Sequence, residues 1–361
     1  MKTDSLNIVI IGLSLSSSWG NGHATTYRSL VKGLYQEGHQ VTFLERDAEW
    51  YAANRDLNSY PYCQLFLYKT LGELKNTYPD LIKDADMVMV GSYLKEGVSI
   101  GDWVTSHAQG ITAFYDIDTP ITLAKLDQQD YEYIHPELIP KFNMYLSFSG
   151  GEILNTLVND YKAPLARPLY CSVDPDLYYP ENRSKQWQIG YLGTYSPDRQ
   201  PTLDKLLLET AKRRPEDSFV VGGPQYPPEI AWPVNVERIE HLSPKRHCGF
   251  YNSQQFTLNV TRDAMIEAGY SPSVRLFEAA ACATPIISDY WAGLETFFEP
   301  DQEILIAEST KDVQQYLNKY SDKERETIGL RARDKVLKEH TSRERARQLI
   351  RYVQQFEDIT V

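Results

Sequence analysis

Short runs of uninterrupted apolar residues recur along this chain, and they come in two series. The first consists of NIVIIG at Asn7–Gly12, VTFL at Val41–Leu44, DMVMV at Asp86–Val90, ITAFY at Ile111–Tyr115 and NMYLS at Asn143–Ser147. Runs this short, bounded by turn residues and lacking polar alternation, read as strands with no face left for water. Between them lie helical stretches such as Ala24–Glu37, which Gly38 ends. Strands buried on both faces and separated by helices make a parallel sheet covered above and below. Prolines then punctuate the chain from Ala163 to Pro180, where a linker is expected. Beyond them the alternation resumes with Gln188–Leu192, Phe219–Val221, Val236–Ile239, Phe256–Val260, Pro285–Ser288 and Glu303–Ile306, before a charged helical tail over Asp322–Phe356. The reading is α/β: two tandem Rossmann-like, doubly wound domains over residues 1–170 and 171–340, facing a cleft. Ligands of such sheets bind beyond the carboxyl ends of the strands.

Composition narrows the function. A net charge of −12 argues against a broad nucleic-acid surface. Cys63, Cys171, Cys248 and Cys282 are scattered without C-x-x-C spacing, so they read as reduced, buried thiols. Seven histidines are dispersed with no H-x-x-x-H pattern, and no metal site is expected. The apolar run near the N-terminus is too short for a leader or a membrane span, and a cytoplasmic location is the expectation.

Two loops have the composition of anion seats. After the first strand comes Ser14–Thr26, in which Gly20, Asn21 and Gly22 lead to His23 at a helix start. Glycines let backbone N–H groups approach an anion, and the helix adds partial positive charge. The plain alternative is a capped polar loop with a solvated histidine. A dinucleotide fingerprint fits poorly: Glu45 ends the second strand as a ribose acid would, but no third glycine follows. The second series opens in the same way, with Gly193, Thr194 and then Arg199 before a helix. Thr194 and nearby amides would bind phosphate and Arg199 would neutralise it; a capped helix with a surface arginine is the alternative.

The stretch SPSVRLFEAAACATPIISD, residues 271–289, places one carboxylate, Glu278, among residues built for burial. A buried carboxylate needs partners. Arg275, one turn earlier, is one solution and an exposed edge is another. A third is a ribose, whose two hydroxyls donate to an ionised carboxylate. Ser273 and Val274 would then present a helix N-terminus to a diphosphate.

This stretch closely resembles the donor-binding motif of GT-B glycosyltransferases, and is similar to the group-1 glycosyltransferase domain of spore-maturation CgeB-like proteins. The resemblance implies that Glu278 holds the nucleotide ribose and that Ser273 and Val274 contact the diphosphate. It implies that Gly193, Thr194 and Arg199 serve the donor, and that the segment through His241 lies by the base; Arg275 and Arg262 are further donor-side candidates from their positions in the sequence. The Gly20–Asn21–Gly22 loop resembles an acceptor-side loop, and residues 341–361 are expected to return as a helix to the N-terminal domain. The sequence departs from the pattern at Ala283, where glycine is common, and in its acids: Glu267 lies eleven residues before Glu278, not the eight of many retaining members.

The activity implied is transfer of a sugar, a hexose by expectation, from a UDP, GDP or dTDP donor to an acceptor hydroxyl, without a metal or other cofactor. For an inverting reaction His23 is the first candidate base, and the Asp116/Asp118 pair of YDIDTP the second. Asp118 also reads as a helix cap ahead of Pro120. Arg262 and Asp263 read equally as an ion pair. Tyr51, Tyr60, Tyr62 and Tyr68 lie in an aromatic insertion where acceptor specificity is expected. A nucleotide-sugar epimerase on the same fold, or a non-catalytic nucleotide-sugar-binding protein, would carry many of the same residues.

Overall fold

In a computed structural model, which describes residues 5–18 and 22–360, the chain divides into two compact units. One comprises Met1–Ser172 with Ser342–Val361, the other Val173–Thr341.

The first unit is built on seven parallel strands: β1 Asn7–Gly12, β2 Gln40–Arg46, β3 Gln64–Tyr68, β4 Met87–Gly91, β5 Ile111–Asp116, β6 Met144–Ser147 and β7 Ala166–Pro168. Their order is β3-β2-β1-β4-β5-β6-β7. The unbroken apolar run of β1 has a direct cause. Ile8 and Ile10 pack with Leu30 and Leu34 of the helix His23–Gln36, together with Leu349 of the last helix. Val9 and Ile11 point to the opposite face, where Ile100 and Val104 of the helix Gly97–His107 cover them. Neither face is left to water.

Strands β3 and β7 escape a search for continuous apolar runs because both are edge strands, one flanked by polar residues and one ending in Pro168. Tyr68 lies on β3 and is fully buried, Tyr60 and Tyr62 pack on the core, and Tyr60 donates to the Arg28 carbonyl at 2.9 Å. Tyr68 is thus committed to packing, whereas Tyr51, Tyr60 and Tyr62 are only partly buried.

The second unit has six parallel strands: β8 Trp187–Leu192, β9 Phe219–Gly222, β10 Val236–Ile239, β11 Gln254–Asn259, β12 Ile286–Ser288 and β13 Leu305–Ile306. Their order is β10-β9-β8-β11-β12-β13. In each sheet the strand order reverses once, between β1 and β4 and between β8 and β11. Those two points open crevices at the carboxyl ends of the strands.

The charged tail forms two helices, Asp322–Glu339 and Ser342–Thr360, where the sequence reads as one helical stretch. The break falls at His340, whose ring stacks on Phe277 at 4.5 Å and whose carbonyl accepts the Val173 N–H at 3.0 Å. Tertiary packing there overrides helix propensity. The last helix then lies against the first helix of its unit so closely that a Cβ on Gly33 would sit 2.1 Å from the Ser342 carbonyl oxygen. Among the described residues no helix is long and apolar enough to cross a membrane.

The departure at Ala283 has a structural meaning. The helix Val274–Ala281 ends with Thr284 N–H donating to the Ala279 carbonyl (3.0 Å) and Ala283 N–H to that of Ala280 (2.8 Å). This pairing requires a left-handed residue just past the helix, and Ala283 takes it, with φ of 53°. Alanine is strained there and glycine is not, so Ala283→Gly is expected to stabilise the protein by about 0.5–1 kcal/mol. A denaturant titration in which this variant unfolds earlier than the parent would contradict the assignment.

Candidate functional site

At the carboxyl end of β8 the chain enters a tight turn. Gly193 N–H donates to the Gly222 carbonyl at 2.9 Å, and a Cβ on Gly223, whose φ is 136°, would meet the Gly193 carbonyl oxygen at 2.0 Å. Two guanidinium groups converge on this turn. Arg199 reaches back to donate to the Thr194 carbonyl (2.6 Å). Arg275 donates to the Leu192 carbonyl (2.5 Å) and to Asn259 Oδ1 (2.7 Å), with Tyr191 beneath it at 4.8 Å. Arg275 is only 7% exposed. Burial, foremost, and also the neighbouring Arg275 charge push Arg199 below its ordinary pKa. Neither arginine is within ion-pair distance of a carboxylate among the described residues. Two enclosed, like-charged groups, acted on only by the Asp198 and Asp289 carboxylates beyond ion-pair distance, are costly unless an anion completes the site.

Asn259, at the end of β11, holds this arrangement. Its Oδ1 accepts from Ser273 Oγ (2.8 Å) and from Arg275; its Nδ2 donates to Thr261 Oγ1 (3.2 Å) and Ser288 Oγ (2.9 Å). Ser273 occupies the cap position of the helix Val274–Ala281, yet its hydroxyl is spent on Asn259 and makes no cap bond. Among the described residues the first amides of that helix therefore have no side-chain cap, and Ser273 and Arg275 share the same Asn259 oxygen. Sequence reasoning missed Asn259, because an asparagine at a strand end reads as a turn residue.

Glu278 lies one turn further along and is 4% exposed. Its partner is not Arg275. Tyr251 donates to Glu278 Oε2 at 2.9 Å, and His247 Nδ1 stands 3.9 Å from the same oxygen. Tyr178 also faces the carboxylate; burial, then the Glu278 charge, pushes its phenol pKa well up. Both ordinary explanations offered by the sequence, a pair with Arg275 and an exposed edge, are thus corrected. Tyr251 and His247 come from the helix Pro244–Asn252, and no sequence pattern marks them.

The remaining donor-side residues divide. His241 is exposed just beyond β10. Arg238, on β10, is clasped between Tyr226 (4.1 Å) and Trp232 (4.5 Å) and donates to the Gly223 carbonyl at 3.0 Å, so it braces the turn. Arg262 faces Asp198 at 3.9 Å, and Asp263 is not its ion-pair partner; Asp263 instead donates its N–H to Asp198 at 3.1 Å.

In the first unit, His23 opens the helix His23–Gln36 and packs edge-on against Tyr93 at 5.3 Å. Burial pushes its pKa down to about 4, and its Nδ1 is enclosed with no hydrogen-bond partner among the described residues. Tyr93 donates to Asp118 Oδ2 at 3.0 Å, so one phenol joins the histidine to the acid. Asp118 holds the cap position before Pro120 by its backbone only, without a side-chain cap bond. Asp116 is different. It is wholly buried and accepts from Tyr145 (2.6 Å), Thr122 (2.8 Å) and the Asp118 N–H (3.2 Å). Burial raises its pKa to about 6 despite those donors. Such a group shapes the β5 loop and is not presented to a reactant, which corrects its reading as a candidate base.

Gly22 is exposed, while Gly20 and Asn21 lie outside the described residues. Two of the serines before them are held by carboxylates of the same unit, Ser16 by Glu45 and Ser18 by Asp56 at 2.9 Å. Glu45 Oε2 accepts Leu15 N–H (2.7 Å) and Ser16 N–H (2.8 Å), and its Oε1 accepts Ser16 Oγ (2.7 Å). That carboxylate is consumed internally, and the dinucleotide reading fails on geometry as well as on glycine count. Among the described residues no three His, Cys, Asp or Glu side chains gather as a metal-ligand set.

Comparison with known proteins bears on the fold. Residues 199–351 match the family model described as glycosyl transferase-like. No curated protein matches by sequence. Solved structures do match in shape. Sucrose-phosphate synthase from Thermosynechococcus elongatus aligns with a TM-score of 0.72 at 14% identity, covering 98% of this chain and 100% of that one. Anabaena HepE in complex with UDP-glucose gives 0.71 at 12% identity, with 97% and 100% coverage. An alpha-glucosyltransferase in complex with UDP-glucose and DNA containing an abasic site gives 0.73 at 12% identity, also with 97% and 100% coverage. Two parallel sheets with alternating helices, aligned over almost the whole chain, give this protein the GT-B fold of those glycosyltransferases, with a glycosyl transferase-like segment at residues 199–351.

Proposed function

We propose that this protein is a glycosyltransferase of the group-1, CgeB-like type, transferring a hexose from a nucleoside-diphosphate donor to an acceptor hydroxyl without a metal. One observation carries the reading: at the β8/β11 reversal, two guanidiniums with no carboxylate of the described residues within ion-pair distance, and a helix start without a side-chain cap, lie one turn from a buried carboxylate. Positive charge next to a paired acceptor matches a diphosphate next to a ribose. The HepE and alpha-glucosyltransferase structures, solved in complex with UDP or UDP-glucose, support the same class of donor.

The chemistry asked of these residues is modest. As the bond from sugar to diphosphate breaks, negative charge grows on the leaving phosphate. Arg199, Arg275 and the Ser273–Val274 amides would stabilise that charge through fixed donors that need no reorganisation. The acceptor hydroxyl must lose a proton, and His23 is proposed to take it. Its lowered pKa keeps the imidazole neutral, hence able to accept, at any pH above about 5. Tyr93 would position it, with Asp118 orienting the phenol.

A thermal-shift panel of UDP, GDP, dTDP, CDP and ADP tests the reading, since a ligand that binds only the folded state raises its melting point. No shift with any of the five overturns it. His23→Ala is expected to keep donor affinity and to lose transfer by at least about a hundredfold, the common scale for a lost general base. Full activity in that variant removes His23 from the mechanism. Acid also acts on folding. Between its ordinary pKa near 6.5 and its folded value of about 4, His23 is charged only when unfolded, so stability is lost as pH falls through that window.

A further inference from the structure

The helix that supplies His247 and Tyr251 to Glu278 also carries Cys248, and the residue capping the Glu278 helix is Cys282. Their sulfurs stand 4.0 Å apart, with the Cys282 thiol directed at the Cys248 sulfur. Cys248 is 8% exposed and Cys282 only 3%. The other cysteines, Cys63 and Cys171, belong to the first unit. The two sulfurs therefore sit at the junction of the helices whose facing side chains hold the candidate ribose acid.

We propose that Cys248 and Cys282 are an oxidisable dithiol site whose disulfide lowers the affinity of the Glu278 site for its nucleoside diphosphate; the second half of this statement rests on the function proposed above. The hydrogen bond from the Cys282 thiol, foremost, brings the Cys248 thiol down to about 7, while burial raises that of Cys282. Cys248 is accordingly the attacking sulfur. With a peroxide as oxidant, the Cys248 thiolate takes the distal oxygen and becomes a sulfenic acid, releasing water once its own proton is counted. The Cys282 sulfur then attacks that sulfur, the S–O bond breaks, and the Cys282 proton leaves with the departing hydroxide as a second water. Two thiols and one hydrogen peroxide give one disulfide and two waters, a two-electron oxidation.

A disulfide requires sulfurs about 2 Å apart, so roughly 2 Å of separation must close. Neither helix has slack. Thr284 Oγ1 is tied to the Tyr251 carbonyl (2.9 Å), Asn252 Nδ2 to the Tyr179 carbonyl (2.9 Å), and the Glu278 helix ends in its own closed turn. Drawing Cys248 toward Cys282 displaces Tyr251, three residues on, from a carboxylate it now meets at 2.9 Å. A core that is packed responds to such a pull by shifting as a unit.

The test uses the full chain, treated with stoichiometric hydrogen peroxide and then quenched. Intact mass is expected to fall by two hydrogens, and a non-reduced peptide map to join the Cys248 and Cys282 peptides. Isothermal titration with UDP, or whichever diphosphate the melting panel selects, is expected to show about tenfold weaker binding, restored by dithiothreitol. Cys248→Ser and Cys282→Ser should each abolish the mass change and leave affinity insensitive to peroxide. Absence of the cross-link, or a cross-link through Cys63 or Cys171, overturns the dithiol site. A cross-link with unchanged affinity overturns the coupling. Failure of reduced protein to bind any diphosphate refutes the functional reading instead, and the peptide map still decides the dithiol.

Discussion

Glu278→Ala binds nucleoside diphosphate at least about tenfold more weakly than the parent, as expected for losing a charge-assisted acceptor of two hydroxyls. The side chain is buried, and its Oε2 is held by Tyr251. A carboxylate fixed in this way needs no ordering when a diol arrives. Truncation leaves the Tyr251 hydroxyl without its acceptor, which costs about 1–3 kcal/mol of stability. The melting point should therefore fall by several degrees while unfolding remains cooperative. Two controls isolate the ribose. Glu278→Gln keeps the shape and an acceptor for Tyr251 but loses the charge, and should lie between the parent and the alanine variant. A 2′,3′-dideoxynucleotide should bind parent and variant alike. Parental affinity for the ordinary diphosphate in Glu278→Ala would remove the ribose assignment.

Replacing Arg199 and Arg275 by leucine tests the other half of the site with a larger effect. A hydrogen bond to a charged group is worth about 1.5–3 kcal/mol, so each change should weaken diphosphate binding by roughly tenfold to a hundredfold. The nucleoside without phosphates should be indifferent. Stability should separate the two positions. Arg199→Leu removes one member of an enclosed like-charge pair and is expected to hold or raise the melting point. Arg275→Leu strips donors from Asn259 and the Leu192 carbonyl and is expected to lower it. If both variants bind diphosphate normally, the site is not an anion seat.

What was legible in the sequence follows from how each feature is encoded. The central strands of both sheets show as apolar runs because both faces are covered; β3 and β7, at the sheet edge, leave no such mark. The Glu278 helix is visible because a charge among alanines is conspicuous. Its supporters are not, since Tyr251, His247 and Asn259 reach the site through folding of segments up to 31 residues away from it. Spacing along a helix suggested Arg275 as the partner of Glu278. The carbonyl end of β8 and the amide of Asn259 compete successfully for that guanidinium. Asp116 illustrates the converse: an acid at a strand end looks available for chemistry until the tertiary fold surrounds it with donors.

Asn259 joins the start of the Glu278 helix, a guanidinium and the ends of two neighbouring strands through four hydrogen bonds of one amide. The scaffold itself thus sets the cationic group in place, and on the proposed function an incoming phosphate would meet a finished receptor. Little conformational entropy is then forfeited on association. Differences in grip among related nucleotides should accordingly be written in how slowly each one escapes, with capture rates nearly constant across the series.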